Sequence, residues 1–93
     1  MNTYTGMYIV RPNLTEEAIK AVIADINEMF VKKGAKITEV NEWGMKDLAY
    51  EINDFTKGYY VKFQVEASAE AVAEYDRICN IKEDVIRHIL VRD

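Results

Sequence analysis

The hydrophobic period of this chain switches between two and 3.6 along its length, and the order of the switches limits the folds open to it. Residues 3–11 close on a nearly continuous apolar run, Met7-Tyr8-Ile9-Val10, which suits a central strand covered on both faces. Pro12 then removes a ladder donor and ends it. Over 15–33 the period becomes helical: Ile19, Val22, Ile23, Ile26, Met29 and Phe30 make one stripe. Asn13 with Glu16, or Thr15 itself, is placed to cap the start. Lys32 and Lys33 suit the negative end of the helix dipole, and Gly34 the left-handed stop.

A second strand is expected over 36–52, and its parity is irregular. Ile37 and Trp43 are odd and Val40 is even; after Gly44, Leu48, Tyr50 and Ile52 share one face and Asp47, Ala49 and Glu51 the other. One extra residue in a strand flips every later side chain, so a β-bulge at Gly44 accounts for the change. A turn between two separate strands is the alternative. Residues 53–57 read as a loop, and Gly58 opens a third strand. There Tyr59, Val61, Phe63 and Val65 are expected to face the helices, and Tyr60, Lys62 and Gln64 to face away. A short helix over 68–80 has Ser68 as its cap. Val72, Tyr75 and Cys79 lie on its apolar face, flanked by Ala71 and Ile78. The last strand, 85–92, reads VIRHILVR.

Strand, helix, strand, strand, helix, strand is the order of a ferredoxin-like βαββαβ sandwich of the α+β class: a four-stranded antiparallel sheet with two helices on one face. Ninety-three residues suffice for one such domain, spanning 1–93. The other sheet face is left open, and function is to be sought there.

Composition restricts that function. The chain is 49% hydrophobic and 30% charged, with a formal net charge of −4. A basic excess is the usual sign of a phosphate-binding protein, so any such face here has to be local. The one cysteine excludes an internal disulfide, no secretory signal or membrane-length apolar run is visible, and the cytosol is the expected compartment. Catalysis has little to stand on. Cys79 belongs to a helix core, His88 reads as a strand side chain, and the four scattered glycines form no phosphate loop. One histidine and one cysteine make no metal-ligand spacing, so neither a metal nor a cofactor is expected.

KGYYVKF, residues 57–63, is similar to a strand motif of RNA-recognition domains but fails it by one residue: Tyr59 and Tyr60 are adjacent and point to opposite faces. What remains is a mixture of aromatic and basic side chains, Tyr60, Lys62, Lys46, Tyr50, Arg87 and Arg92, on three strands. Such a mixture suits a polar and aromatic interface with protein or nucleic acid.

The stretch GMKDLAYEIN, residues 44–53, identifies a family resemblance. It matches the signature of the sixth protein of the bacterial small ribosomal subunit: a glycine, any residue, a basic residue, a polar one, then L-[SA]-Y-x-I. Tyr4 near the start, Pro12 after the first strand, Gly34 after the first helix and V-I-R in the last strand extend the resemblance over the whole chain. It implies a structural ribosomal protein without catalysis. Such a protein binds the central domain of small-subunit ribosomal RNA as a heterodimer with the eighteenth small-subunit protein. A basic partner would reconcile the acidic balance with RNA binding. By the same resemblance, Tyr4, Tyr50 and Arg87 are RNA-side or interface positions, and Lys46 is the basic position of the signature. Leu48 and Ile52 are packing residues, Ala49 is the small position, and Gly44 is kept for backbone geometry. Relatives commonly begin with basic residues where this chain has Asn2 and Thr3, and many carry a C-terminal tail beyond the position of Asp93. Binding is therefore expected to rest on the folded domain. A generic ferredoxin-like interaction module, oligomerising through its sheet, is the other reading.

Overall fold

A computed structural model describes residues 2–52 and 54–93. The elements are β1 (Asn2–Val10), α1 (Glu16–Lys32), β2 (Lys36–Ile52), β3 (Phe55–Ala67), α2 (Ala69–Ile81) and β4 (Val85–Arg92). The strands form one antiparallel sheet in the order β2-β3-β1-β4. This is the ferredoxin-like arrangement that the element order predicts, with β1 as a central strand.

Local chemistry sets the helix ends. The Thr15 hydroxyl accepts from the Ala18 amide at 3.2 Å, and Glu16 and Glu17 occupy the first turn. At the other end Lys33 is the C-cap, and Gly34 takes the left-handed φ of +74° expected of it. Ser68 caps α2 through the Ala71 amide at 3.4 Å. The buried line of α2 is Ala71, Tyr75 and Cys79 at i, i+4 and i+8, with Val72 and Ile78 flanking it. The expected stripe is thus rotated slightly, and the small Ala71 lets the helix approach the sheet.

Both stripes pack on the inner face, against Tyr8, Val10, Val61, Phe63, Val65 and Ala67. Tyr8, Phe30, Phe63 and Tyr75 form its centre, with ring centroids 5.4–5.9 Å apart. Each such pair contributes about 0.5–1.5 kcal/mol beyond its burial. The Tyr75 hydroxyl donates to the Ile89 carbonyl at 3.2 Å, so this polar atom ties α2 to β4. Burial raises the phenol pKa of Tyr8 and Tyr75 well above the ordinary value. On the protein's margins, Arg11 to Asp84 at 2.8 Å and Lys33 to Glu70 at 3.2 Å clip the chain turns together.

Three expectations need correcting. The loop expected at 53–57 is mostly strand. Ile52 pairs with Phe55, and Asp54 supplies a left-handed φ of +68°, which its short polar side chain tolerates. Asn53, in that expected loop and at the end of the signature, lies outside the described residues. The parity break of β2 has two sources. The register slips between Ile37 and Glu39, making Thr38 an extra residue, and again between Glu42 and Gly44, making Trp43 one. The first slip explains why Ile37 and Val40 both face the core. The second is the bulge expected at Gly44, whose φ is +85°. Finally, the register fails between Asp47 and Ile52, so strict alternation of Leu48, Tyr50 and Ile52 against Ala49 and Glu51 does not hold there.

Candidate functional site

The outer face is built from the alternate residues of the same strands. On β3 these are Tyr60, Lys62 and Gln64, paired with Ile9, Met7 and Thr5 of β1. Arg87 of β4 lies across from Ile9 on the other side, and Lys46 of β2 lies opposite Gly58. Tyr59, Val61, Phe63 and Val65 point to the helices, as their alternation predicts.

This face is not bare. After Asp47 four residues of β2 stand against one of β3, and the surplus chain lies over the sheet. Leu48, Ala49, Tyr50 and Ile52 line a shallow depression of about 150 Å³ with Ile9, Tyr60 and Arg87. Ile9 is consequently only 7% exposed although it stands outside the main core. Gly58 makes the close approach possible. A Cβ there would sit 2.3 Å from Ile9 Cγ2 and 3.5 Å from Leu48 Cδ2. Leu48 and Ile52 are half-buried in this second, smaller cluster and not in the main core.

Tyr50 spans the sheet from its β2 end to β4. Its hydroxyl is hydrogen-bonded by the Arg87 guanidinium, whose carbon lies 5.6 Å from the Tyr50 ring centroid. Tyr50 is 59% exposed, so the pair presents an aromatic face and free guanidinium donors to the outside. Farther toward the β2 edge, Trp43 is 45% exposed. The ammonium groups of Lys62 and Lys46 lie 5.7 and 6.0 Å from its ring centroid.

Most cations of the chain are paired internally. Arg11, Lys20, Lys32, Lys33, Lys57, Arg77 and Lys82 each meet a carboxylate. Among the described residues Lys36, Lys46, Lys62, Arg87 and Arg92 meet none, and of these Lys46, Lys62 and Arg87 gather beside the exposed aromatic rings of the outer face. A chain of net charge −4 therefore keeps a local group of unpaired cations on one sheet face.

The structure brings together Lys46, Lys62, Tyr50, Tyr60 and Arg87 of the residues singled out from sequence. It separates Tyr4 and Arg92 from them. These two pair with each other across β1 and β4 with inner-face parity, Tyr4 packs on the core beside Leu90, and Arg92 donates to Asn2 Oδ1 at 3.1 Å. Grouping Arg92 with Arg87 is corrected on this point: five residues apart on a strand are on opposite faces. Trp43 was not among the singled-out site residues. Its signal was the parity break itself, since the extra residue of a bulge is freed from cross-strand pairing.

The groups considered for chemistry lie elsewhere. Cys79 is buried, and burial pushes its thiol up to about 12. His88 lies on the helix side, its Nε2 2.8 Å from Asp76 and its ring edge-on to Tyr75 at 5.6 Å. Among the described residues no three His, Cys, Asp or Glu side chains converge as a metal site. No helix there is long and apolar enough to cross a membrane.

Comparison with known proteins agrees with this arrangement. A family model described as ribosomal protein S6 matches residues 3–92. The 30S ribosomal protein S6 of Thermotoga maritima superimposes with a TM-score of 0.94 at 25% identity, covering 99% of this chain and 87% of that one. The C-terminal domain of the MgtC protein of Mycobacterium tuberculosis shares the fold alone, with a TM-score of 0.69 at 10% identity, covering 100% of this chain and 88% of that one.

Proposed function

Given that the chain belongs to the ribosomal protein S6 family, we propose that its outer sheet face binds the central domain of small-subunit ribosomal RNA, jointly with the eighteenth small-subunit protein. The family is one of structural ribosomal proteins and not of enzymes, and it implies a structural role in the small subunit, associated with ribosomal RNA and other ribosomal proteins in the cytoplasm.

The observation that carries the finer reading is the group of unpaired cations, Lys46, Lys62 and Arg87, set among Trp43, Tyr50 and Tyr60 on one face. Ammonium and guanidinium groups with no internal carboxylate keep their charge available for phosphate, and Arg adds a bidentate fork. Aromatic rings beside them suit unstacked bases. Tyr50 positions the Arg87 guanidinium. Leu48 and Ile52 hold the segment that delivers Tyr50, Ala49 lines the depression beside it, and Gly44 supplies the backbone turn that the bulge needs. In this reading Tyr4 and Arg92, on the other face, belong to a separate contact with RNA or the partner.

An acidic chain is a weak RNA ligand alone, because its remaining charge repels phosphate over a Debye length of about 8 Å at physiological salt. A basic partner removes that penalty. The test is titration of a labelled central-domain RNA fragment with this protein, with and without the eighteenth protein, at two salt concentrations. Tight, salt-sensitive binding only with both proteins present is expected. RNA binding that ignores the partner, or fails with it, contradicts the reading.

A further inference from the structure

We propose that Trp43 is a stacking platform for one unpaired RNA base, with Lys46 and Lys62 holding the phosphates on either side of that nucleotide. The proposal rests on the RNA-binding reading of the outer face and adds to it a defined subsite.

Trp43 is the extra residue of the second β2 bulge: the pairing passes from Glu42 with Val61 directly to Gly44 with Tyr60. It therefore has no cross-strand neighbour, and nearly half its surface meets solvent. The bulge is held by Gly44 in a left-handed conformation at φ +85° that other residues adopt only with strain. A bulge of this kind re-aims a side chain, and here it puts a tryptophan on the face that also carries the unpaired lysines. Lys62 Nζ and Lys46 Nζ stand 5.7 and 6.0 Å from the ring centroid. Those distances lie at the outer limit of cation–π attraction, so the ammonium groups hold the ring loosely and yield to a base. Lys46 and Lys62 come from neighbouring strands, and both ammonium groups stand over the same ring. An exposed ring with two unpaired cations beside it matches a nucleotide: the π-face takes the base, and the ammonium groups swing off the ring to its phosphates. A protein partner at the same place would have to bring a carboxylate to each ammonium, and a flat apolar surface alone would leave both lysines desolvated and unpaired.

Trp43 is the only tryptophan of the chain, which makes it its own reporter. The experiment uses the heterodimer with the eighteenth protein and a fluorescein-labelled central-domain RNA fragment, reading RNA anisotropy and tryptophan emission in parallel. Trp43→Phe serves as a ring-preserving variant and as the blank for any partner tryptophan, and Trp43→Ala removes the ring. Quenching of Trp43 emission on RNA addition is expected, with affinity lowered about 5- to 100-fold in Trp43→Ala and largely retained in Trp43→Phe. Unchanged RNA affinity in Trp43→Ala with unmoved wild-type emission overturns the stacking subsite and leaves the RNA reading standing. Loss of the heterodimer in Trp43→Ala without RNA also overturns it, making Trp43 a protein anchor. If wild-type protein and partner bind no RNA, the RNA reading fails first and this inference falls with it.

Discussion

On β3 the residues Tyr59, Val61, Phe63 and Val65 turn toward the helices and Tyr60, Lys62 and Gln64 turn away, so one strand serves two faces under different constraints. The inner face is closed by α1 and α2, and its aromatic cluster is packed with centroids 5.4–5.9 Å apart. The outer face is covered only where the Leu48–Ile52 part of the hairpin, with Tyr50 itself exposed on top, lies over Ile9, and elsewhere it leaves Trp43, Ile89 and Val91 in solvent. The lysines of the helices and the cations of the outer face divide in the same way. Lysines on the helix side meet Asp or Glu, whereas Lys46, Lys62 and Arg87 on the outer face do not. The inner face spends its side chains on stability, and the outer face leaves them free for a ligand.

If this division is right, truncations should be costly on one face and mild on the other. Phe63→Ala removes the ring that touches Tyr8, Phe30 and Tyr75, and we expect a loss of about 3–5 kcal/mol in denaturant unfolding. Arg87→Ala should leave folding nearly unchanged and weaken RNA binding by the heterodimer by about 1–3 kcal/mol, as for a lost charged hydrogen bond. Unchanged RNA affinity would remove Arg87 from the interface. Leu48→Ala tests the small outer cluster. Leu48 is half-buried against Ile9 and Gly58, so the cost should be about 1–2 kcal/mol, below a main-core truncation. A loss equal to that of Phe63→Ala would make the outer cluster a second full core.

The smallest effect is expected just above pH 9. Cys79 has its folded-state pKa raised, by burial first, from 9.0 to about 12, and burial also raises Tyr8 and Tyr75. The folded state then holds protons that the unfolded chain releases, so stability from these groups is complete below pH 9 and declines as pH rises toward 12. Urea midpoints at pH 8 and pH 10.5 measure this. Cys79→Ala should flatten the early part of the decline, and no change between wild type and variant would place the sensitivity elsewhere.

Much of the inner face was legible in the sequence because burial imposes a period. The α1 stripe and the alternation of YYVKFQV survive intact. The Gly44 bulge was legible too, since a flipped parity has few causes. The Thr38 bulge was not distinguished from it, although Ile37 and Val40 already carried the mismatch. The fold-over of residues 48–52 had no local signal. It depends on Gly58 and Ile9, which are distant in sequence and meet only after β1 and β3 pair. By contrast the odd spacing of Arg87 and Arg92 in VIRHILVR already put them on opposite faces, and the sheet register adds only which of the two faces the helices.

The most direct test of the two-face account is the salt dependence of RNA binding by the heterodimer, compared between two triple variants. One removes the outer cations as Lys46→Ala, Lys62→Ala and Arg87→Ala; the other removes helix-side cations as Lys32→Ala, Lys33→Ala and Lys82→Ala. Each phosphate contact contributes about 0.7–0.9 to the slope of log affinity against log salt. The account predicts that the outer variant loses roughly 2 from that slope while the helix-side variant keeps the wild-type value. Equal slopes in the two variants, or a loss confined to the helix side, would contradict it.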